Sequence, residues 1–96
     1  MGLYDLLKSK RSEILKIAER HGAYNIRIFG SVVRGTDDEK SDIDFLVDFG
    51  KNISSWFPAG LIIDLENLLK VKVEIATEKG LKQRIRDKIL KEARPL

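Results

Sequence analysis

Residues 29–48 read Phe-Gly-Ser-Val-Val-Arg-Gly-Thr-Asp-Asp-Glu-Lys-Ser-Asp-Ile-Asp-Phe-Leu-Val-Asp. The pair Gly30-Ser31 is followed, after ten residues, by two aspartates, Asp42 and Asp44, with one apolar residue between them. From Asp42 to Phe49 the chain alternates strictly. Ile43, Phe45, Val47 and Phe49 fall on one face and Asp42, Asp44, Leu46 and Asp48 on the other, as in a half-buried β-strand. Side chains two apart on a strand project from one face about 6 to 7 Å apart, so Asp42 and Asp44 present neighbouring carboxylates with nothing basic between them. Charges so placed repel unless a cation holds them, and hard ions such as Mg²⁺ favour a few carboxylates completed by phosphate oxygens and water. Upstream, Ile26-Arg27-Ile28-Phe29 is a β-rich run halted by Gly30, which predicts a strand, a tight turn and a short helix around Ser31 to Arg34. Gly30 permits a sharp turn and close approach to a ligand, and the following amides with the Ser31 hydroxyl suit a phosphate. The spacing thus sets a phosphate bed beside a metal site.

Outward from this stretch, Leu3, Leu6, Leu7, Ile14, Ile17 and Ala18 recur at helical spacing and predict one amphipathic helix over roughly residues 3 to 20, closed by His21-Gly22. His21 reads as a capping or surface residue. Residues 35–41 read as a polar loop, with Asp37, Asp38 and Glu39 solvated. After a Gly50-Lys51-Asn52 turn, Pro58 suits the first turn of a helix whose stripe is Leu61, Ile62, Leu65, Leu68 and Leu69, ending near Lys70, with Trp56 and Phe57 as a hydrophobic cover. Val71 to Ala76 forms a third strand, on which Glu74 shares parity with Lys72 and Ala76, opposite Val71, Val73 and Ile75; Glu74 is the candidate third carboxylate. Leu81, Ile85, Ile89, Leu90 and Ala93, set among basic residues, predict an amphipathic C-terminal helix stopped near Pro95. Asp48, about 13 Å along the strand from Asp44, is too far to join the same ion site.

Composition narrows the chemistry. A chain of 96 residues has room for one modest core and leaves little for a second substrate-binding lobe. No apolar run approaches the roughly 20 residues that span a bilayer, and the N-terminus lacks the continuous apolar region of a secretory signal, so a cytoplasmic protein is expected. Zero cysteines and a single histidine exclude disulfides, thiolate metal sites and a His-rich zinc centre, so any metal must accept oxygen ligands. A net charge of +3 favours phosphate-bearing ligands or an acidic partner only mildly.

Gly30-Ser31, ten residues, then Asp42-Ile43-Asp44 resembles the Gly-Ser-x10-Asp-x-Asp signature of the DNA polymerase beta nucleotidyltransferase superfamily. The order of helix, strand, Gly-Ser turn, Asp-x-Asp strand, helix, acidic strand and helix extends the likeness over nearly the whole chain, and at this size it resembles the minimal nucleotidyltransferase (MNT) family. Arg34-Gly35 and Ser41 also fit the pattern. The third carboxylate of that family is usually aspartate, and Glu74 stands at the matching position. The resemblance implies an α/β (α+β) fold with a small mixed β-sheet of three to four strands flanked by helices, one domain over residues 1–96. It implies transfer of AMP from ATP to a hydroxyl with loss of pyrophosphate. Asp42, Asp44 and Glu74 would hold two Mg²⁺ ions, and Gly30, Ser31 and Arg34 would bind the triphosphate. Members of the family commonly act as antitoxins toward a HEPN-type toxin, modifying a tyrosine of it or binding it directly. Two other readings stand beside this one: an MNT-fold binding module that neutralises its partner by contact, and a basic nucleic-acid-binding domain. Nucleic acid is the least favoured partner, no membrane contact is expected, and a homo-oligomer is possible.

Overall fold

The computed structural model describes residues 2–38, 40–51, 53 and 56–96. Glu39 of the acidic loop and Asn52 of the predicted turn lie outside them. The N-terminal periodicity produces two helices rather than one, α1 (Leu3–Ser9) and α2 (Arg11–Arg20), which meet at Lys10 with φ −106° and ψ 10°. Ser9 sits at the break and donates from Oγ to the Leu6 carbonyl at 2.7 Å. Such back-bonding competes with the helical ladder and bends helices locally. Leu7 and Ile14, seven residues apart, are both fully buried, so the two segments keep a common apolar face across the bend.

Among the described residues four strands follow α1 and α2: β1 (Ala23–Phe29), β2 (Ile43–Phe49), β3 (Val73–Ala76) and β4 (Arg94–Pro95). They pair in the order β3-β2-β1-β4, with β1 antiparallel to β2 and β4, and β2 parallel to β3. The sheet is therefore mixed, as expected. Between β1 and β2 lies the single-turn helix α3 (Ser31–Arg34); α4 (Ala59–Leu69) links the parallel pair β2 and β3; α5 (Gln83–Glu92) leads into β4. The parallel pairing requires such a crossover, since a hairpin can join only antiparallel neighbours.

One face of the sheet carries the core. Ile28, Ile43, Phe45, Val47 and Val73 pack there against Leu7, Ile14, Ile17 and Ala18 of the N-terminal helices and Leu61, Leu65 and Leu69 of α4. Two side-chain contacts fasten this layer. His21, the C-cap of α2 as expected, also lies 2.7 Å from Asp64 of α4. Glu66 of α4 accepts the Val73 N–H at 3.0 Å where β3 begins.

The opposite face carries polar chemistry, and here the sequence-based reading needs three corrections. Strand β2 begins at Ile43, so Asp42 immediately precedes it rather than opening it. Helix α5 has no buried residue, and Ile85 and Leu90 remain 44% and 38% exposed, so its apolar stripe is only partly covered. Helix α5 ends at Glu92, near Pro95 as expected, and the residues past it add an edge strand to β1, where Pro95, which has no N–H, is tolerated. Of the aromatic pair before α4, Phe57 packs on the core with its ring 5.1 Å from that of Phe49, whereas Trp56 is 75% exposed and is not packed on the core. Among the described residues, no helix is long and apolar enough to cross a membrane.

Candidate active site

Strand register brings the acidic residues together. Asp44 on β2 is paired with Phe29 on β1 and with Glu74 on β3. Residues directly opposed on neighbouring strands share a face, so Asp44 and Glu74 project side by side from the face away from the core. Asp42, half-buried, stands just ahead of β2, whose first N–H, that of Ile43, bonds the Lys72 carbonyl at 3.0 Å. Burial pushes the Asp44 carboxyl up from 3.8 to about 6; the Glu74 charge, a hydrogen bond with Glu74 and the Asp42 charge push the same way, and Arg34 opposes them. Asp44 therefore feels both of the other sequence-predicted carboxylates.

Phe29 leads directly into Gly30, which lies beside this cluster. Gly30 has φ 82° and ψ −153°, a conformation essentially confined to glycine. A Cβ at this position would overlap the Asp44 carboxylate oxygen and stand 3.2 Å from its carboxyl carbon. The glycine is thus required twice over, by the turn and by the closeness of the Asp44 side chain. Its carbonyl accepts the N–H groups of Val33 and Arg34, each at 3.1 Å, which fixes α3 to the end of β1. Ser31, half-buried, opens this helix. With only four residues α3 has little dipole to offer, so the cationic character of the turn comes from the Gly30 N–H and the Arg34 guanidinium.

Both of those donors are engaged by a residue that sequence reasoning missed. Glu92, the last residue of α5, accepts the Gly30 N–H on Oε2 at 3.0 Å and the Arg34 guanidinium on Oε1 at 2.6 Å. Burial pushes its carboxyl up, but the Gly30 amide, the Arg34 side chain and the charge of Lys88 together hold it below the usual carboxylate range. One signal could have found it. An acidic residue in the last turn of a helix faces the negative end of the backbone dipole and needs a partner from elsewhere. Farther along the same face Arg27, with its side chain 12% exposed, forks to Asp48 at 2.8 Å and Glu78 at 2.9 Å. Asp48 is accordingly committed to an ion pair, in keeping with its exclusion from the acidic cluster. In the loop, Asp37 accepts the Leu3 N–H at 3.2 Å, which ties α1 down, and Asp38 accepts the Lys40 N–H at 2.8 Å.

Among the described residues, no three His, Cys, Asp or Glu side chains are grouped so as to enclose a metal ion as they stand. The donor set nonetheless suits Mg²⁺, which is usually held by one or two carboxylates together with substrate phosphates and water and not by an all-protein cage. Asp44 and Glu74 supply such a pair, with Asp42 adjoining.

The comparisons with known proteins agree with this layout. The model of the nucleotidyltransferase domain family matches residues 11–96. MJ0435 of Methanocaldococcus jannaschii, provisionally named a protein adenylyltransferase, is 36% identical over 83 residues, covering 86% of this chain and 89% of its own. The protein adenylyltransferase MntA of Thermococcus cleftensis is 39% identical over 77 residues, covering 80% of this chain and 78% of its own. Among solved structures, one provisionally described as a minimal nucleotidyltransferase superposes with a TM-score of 0.86 at 44% identity over 100% of this chain and 97% of the other. A toxin–antitoxin crystal structure with AMP-PNP shares the fold, with a TM-score of 0.73 at 20% identity over 88% of this chain and 69% of that one. Matched from residue 11 to residue 96, and related to these proteins over most of their length, the chain is a nucleotidyltransferase, a minimal member of the nucleotidyltransferase domain family.

Proposed function

We propose that this nucleotidyltransferase transfers AMP from ATP to a hydroxyl, a tyrosine of a HEPN-type toxin, and so acts as the toxin's antitoxin. The observation that carries the reading is the row formed by Gly30, Asp44 and Glu74, in which a glycine turn suited to phosphate touches a carboxylate paired with a second one. The names of the relatives support protein as the acceptor. The toxin–antitoxin structures of the same fold, one with AMP-PNP, support an adenine nucleotide and a toxin partner.

Transfer forms a bond between the acceptor oxygen and the α-phosphorus of ATP and breaks the bond from that phosphorus to the bridging oxygen of the leaving pyrophosphate. Gly30 and Ser31 receive the triphosphate, and Arg34 offsets its charge and that of the departing pyrophosphate. Asp42, Asp44 and Glu74 would hold two Mg²⁺ ions, which supply charge neutralisation at the attacking and leaving oxygens. Glu74, exposed at the acceptor side, receives the hydroxyl proton. A 96-residue chain has little surface with which to read a small acceptor, so the partner protein completes the site.

The test is transfer of label from α-labelled ATP to a purified HEPN partner with Mg²⁺ present. Transfer by the native chain, lost in Asp42→Asn/Asp44→Asn, is expected. A double variant that silences the toxin as well as the native chain does would replace the enzymatic reading with neutralisation by contact.

A further inference from the structure

Two of the three groups that the proposed function assigns to the nucleotide's phosphates, the Gly30 N–H and the Arg34 guanidinium, are already occupied, and by the protein itself. Glu92 reaches them from 62 and 58 residues away in the chain, placing one oxygen on the Gly30 N–H and the other on the Arg34 guanidinium. Carboxylate and phosphate are the two anions that guanidinium groups recognise in the same forked manner. The Glu92 side chain is 16% exposed and that of Arg34 52%, so the carboxylate lies inward and the arginine covers it from the solvent side.

We propose that Glu92 is an intramolecular competitor for the phosphate subsite, a residue that sets nucleotide affinity and is displaced when the triphosphate binds. The inference rests on the nucleotide reading of Gly30 and Arg34 given above. One backbone N–H cannot serve two anions at full strength, and a triphosphate beside an undisplaced Glu92 and the Asp44 cluster would meet like charge on both sides. Displacement has a consequence for α5. That helix has no buried residue, and its far end is held by the Glu92 contacts together with the short β4 pairing to β1. Leu96 adds an N–H to the Ile26 carbonyl at 3.1 Å. Removing Glu92 from the donors frees the C-terminal turn of α5 while β4 still anchors the chain beyond it. Nucleotide binding is thereby linked to the mobility of the C-terminal helix.

The experiment measures binding of AMP-PNP with Mg²⁺ by calorimetry to the full native chain and to Glu92→Gln, Glu92→Ala and Arg34→Ala, with thermal melts to establish folding. Glu92→Gln keeps shape and removes charge. Because an occupied site lowers apparent affinity by the fraction of time it is closed, both Glu92 variants should bind about tenfold more tightly than the native chain. In the Arg34→Ala background the gain should shrink, since the competitor has lost one of its two anchors. Amide exchange over residues 83–92 should rise when nucleotide binds the native chain, and should already be raised in Glu92→Gln without it. Folded Glu92 variants that bind no more tightly than the native chain would overturn the proposal and leave the nucleotide site standing. Absence of binding by every form, Glu92→Gln included, would overturn both.

Discussion

Replacing Asp44 by asparagine should stabilise the ligand-free protein, and only above a certain pH. Burial, then Glu74 and Asp42, raise the Asp44 carboxyl from 3.8 to about 6. An acid with a higher pKa in the folded than in the unfolded state is bound to its proton more tightly when folded, so ionising it penalises the native state. The penalty is nil where both states are protonated, below the unfolded value of 3.8, and is complete once pH has risen past about 6. Taken at face value the displacement corresponds to about 3 kcal/mol. Asp44 is only half-buried, and solvent screening reduces this to about 1 kcal/mol. In a domain of this size about 1 kcal/mol moves the melting temperature by roughly 4 to 8 °C. Asp44→Asn should therefore melt about 4 to 8 °C above the native chain at pH 8 and indistinguishably from it at pH 3. Asparagine preserves the shape and can donate its amide to Glu74, so the charge is removed while the contact is kept. Thermal unfolding followed by circular dichroism at pH 3, 6 and 8, with chelator present, measures the difference. A variant that melts at or below the native chain at pH 8, or that gains the same increment at every pH, would refute the reasoning.

Two further perturbations probe the scaffold around the site. Gly30→Ala places a side chain at φ 82° and onto the Asp44 carboxylate, and should cost about 2 to 4 kcal/mol in urea unfolding; Gly35→Ala, at φ 74° with nothing within 4 Å of the added carbon, should cost only about 1 kcal/mol. Equal costs would mean that the Asp44 overlap is relieved by a small side-chain shift. Arg27→Ala leaves Asp48 and Glu78 without their shared partner and should cost about 2 kcal/mol, with Arg27→Lys recovering less than half because an ammonium cannot fork between two carboxylates; a loss below about 0.5 kcal/mol would show the fork to be a solvated ornament.

What could be read from the sequence was what local periodicity encodes. The alternation from Ile43 to Phe49 put Asp44 on the face away from the core, and the parity of Val73, Glu74 and Ile75 put Glu74 on that face too; register then made them neighbours. Hydrophobic spacing located the helical segment of residues 3–20, α4 and α5, but it is insensitive to a bend that preserves the apolar face, so the break at Lys10 was invisible. Contacts between side chains distant in sequence leave no periodic trace. His21 with Asp64 and Glu92 with Gly30 and Arg34 depend on how whole elements pack, and β4 is two residues long and contains a proline, too little for any strand pattern. Trp56 and Phe57 are adjacent and chemically alike, and only the packing of Phe57 on the core and against Phe49 decides that one is covered and the other is not.

The site meets its electrostatic demands from within. Below about pH 6 a proton on Asp44 does what a cation would do for two adjoining carboxylates, and Glu92 does what a phosphate would do for Gly30 and Arg34. Each internal substitute must leave before its ligand can bind, which makes affinity depend on how firmly the substitute is held. For the cation the dependence has a definite sign. A carboxyl must be ionised to ligate a metal, so the affinity for Mg²⁺ should climb with pH and level off once Asp44 has lost its proton, near and above about 6. Displacement of one proton gives a slope of about tenfold per pH unit on the acid side. The rise in melting temperature with added Mg²⁺, measured from pH 5 to pH 8, reports this affinity, and Asp44→Asn, which has no proton to release there, should lose the dependence. An affinity that is flat across that range in the native chain would mean that Asp44 is not the carboxylate that receives the cation.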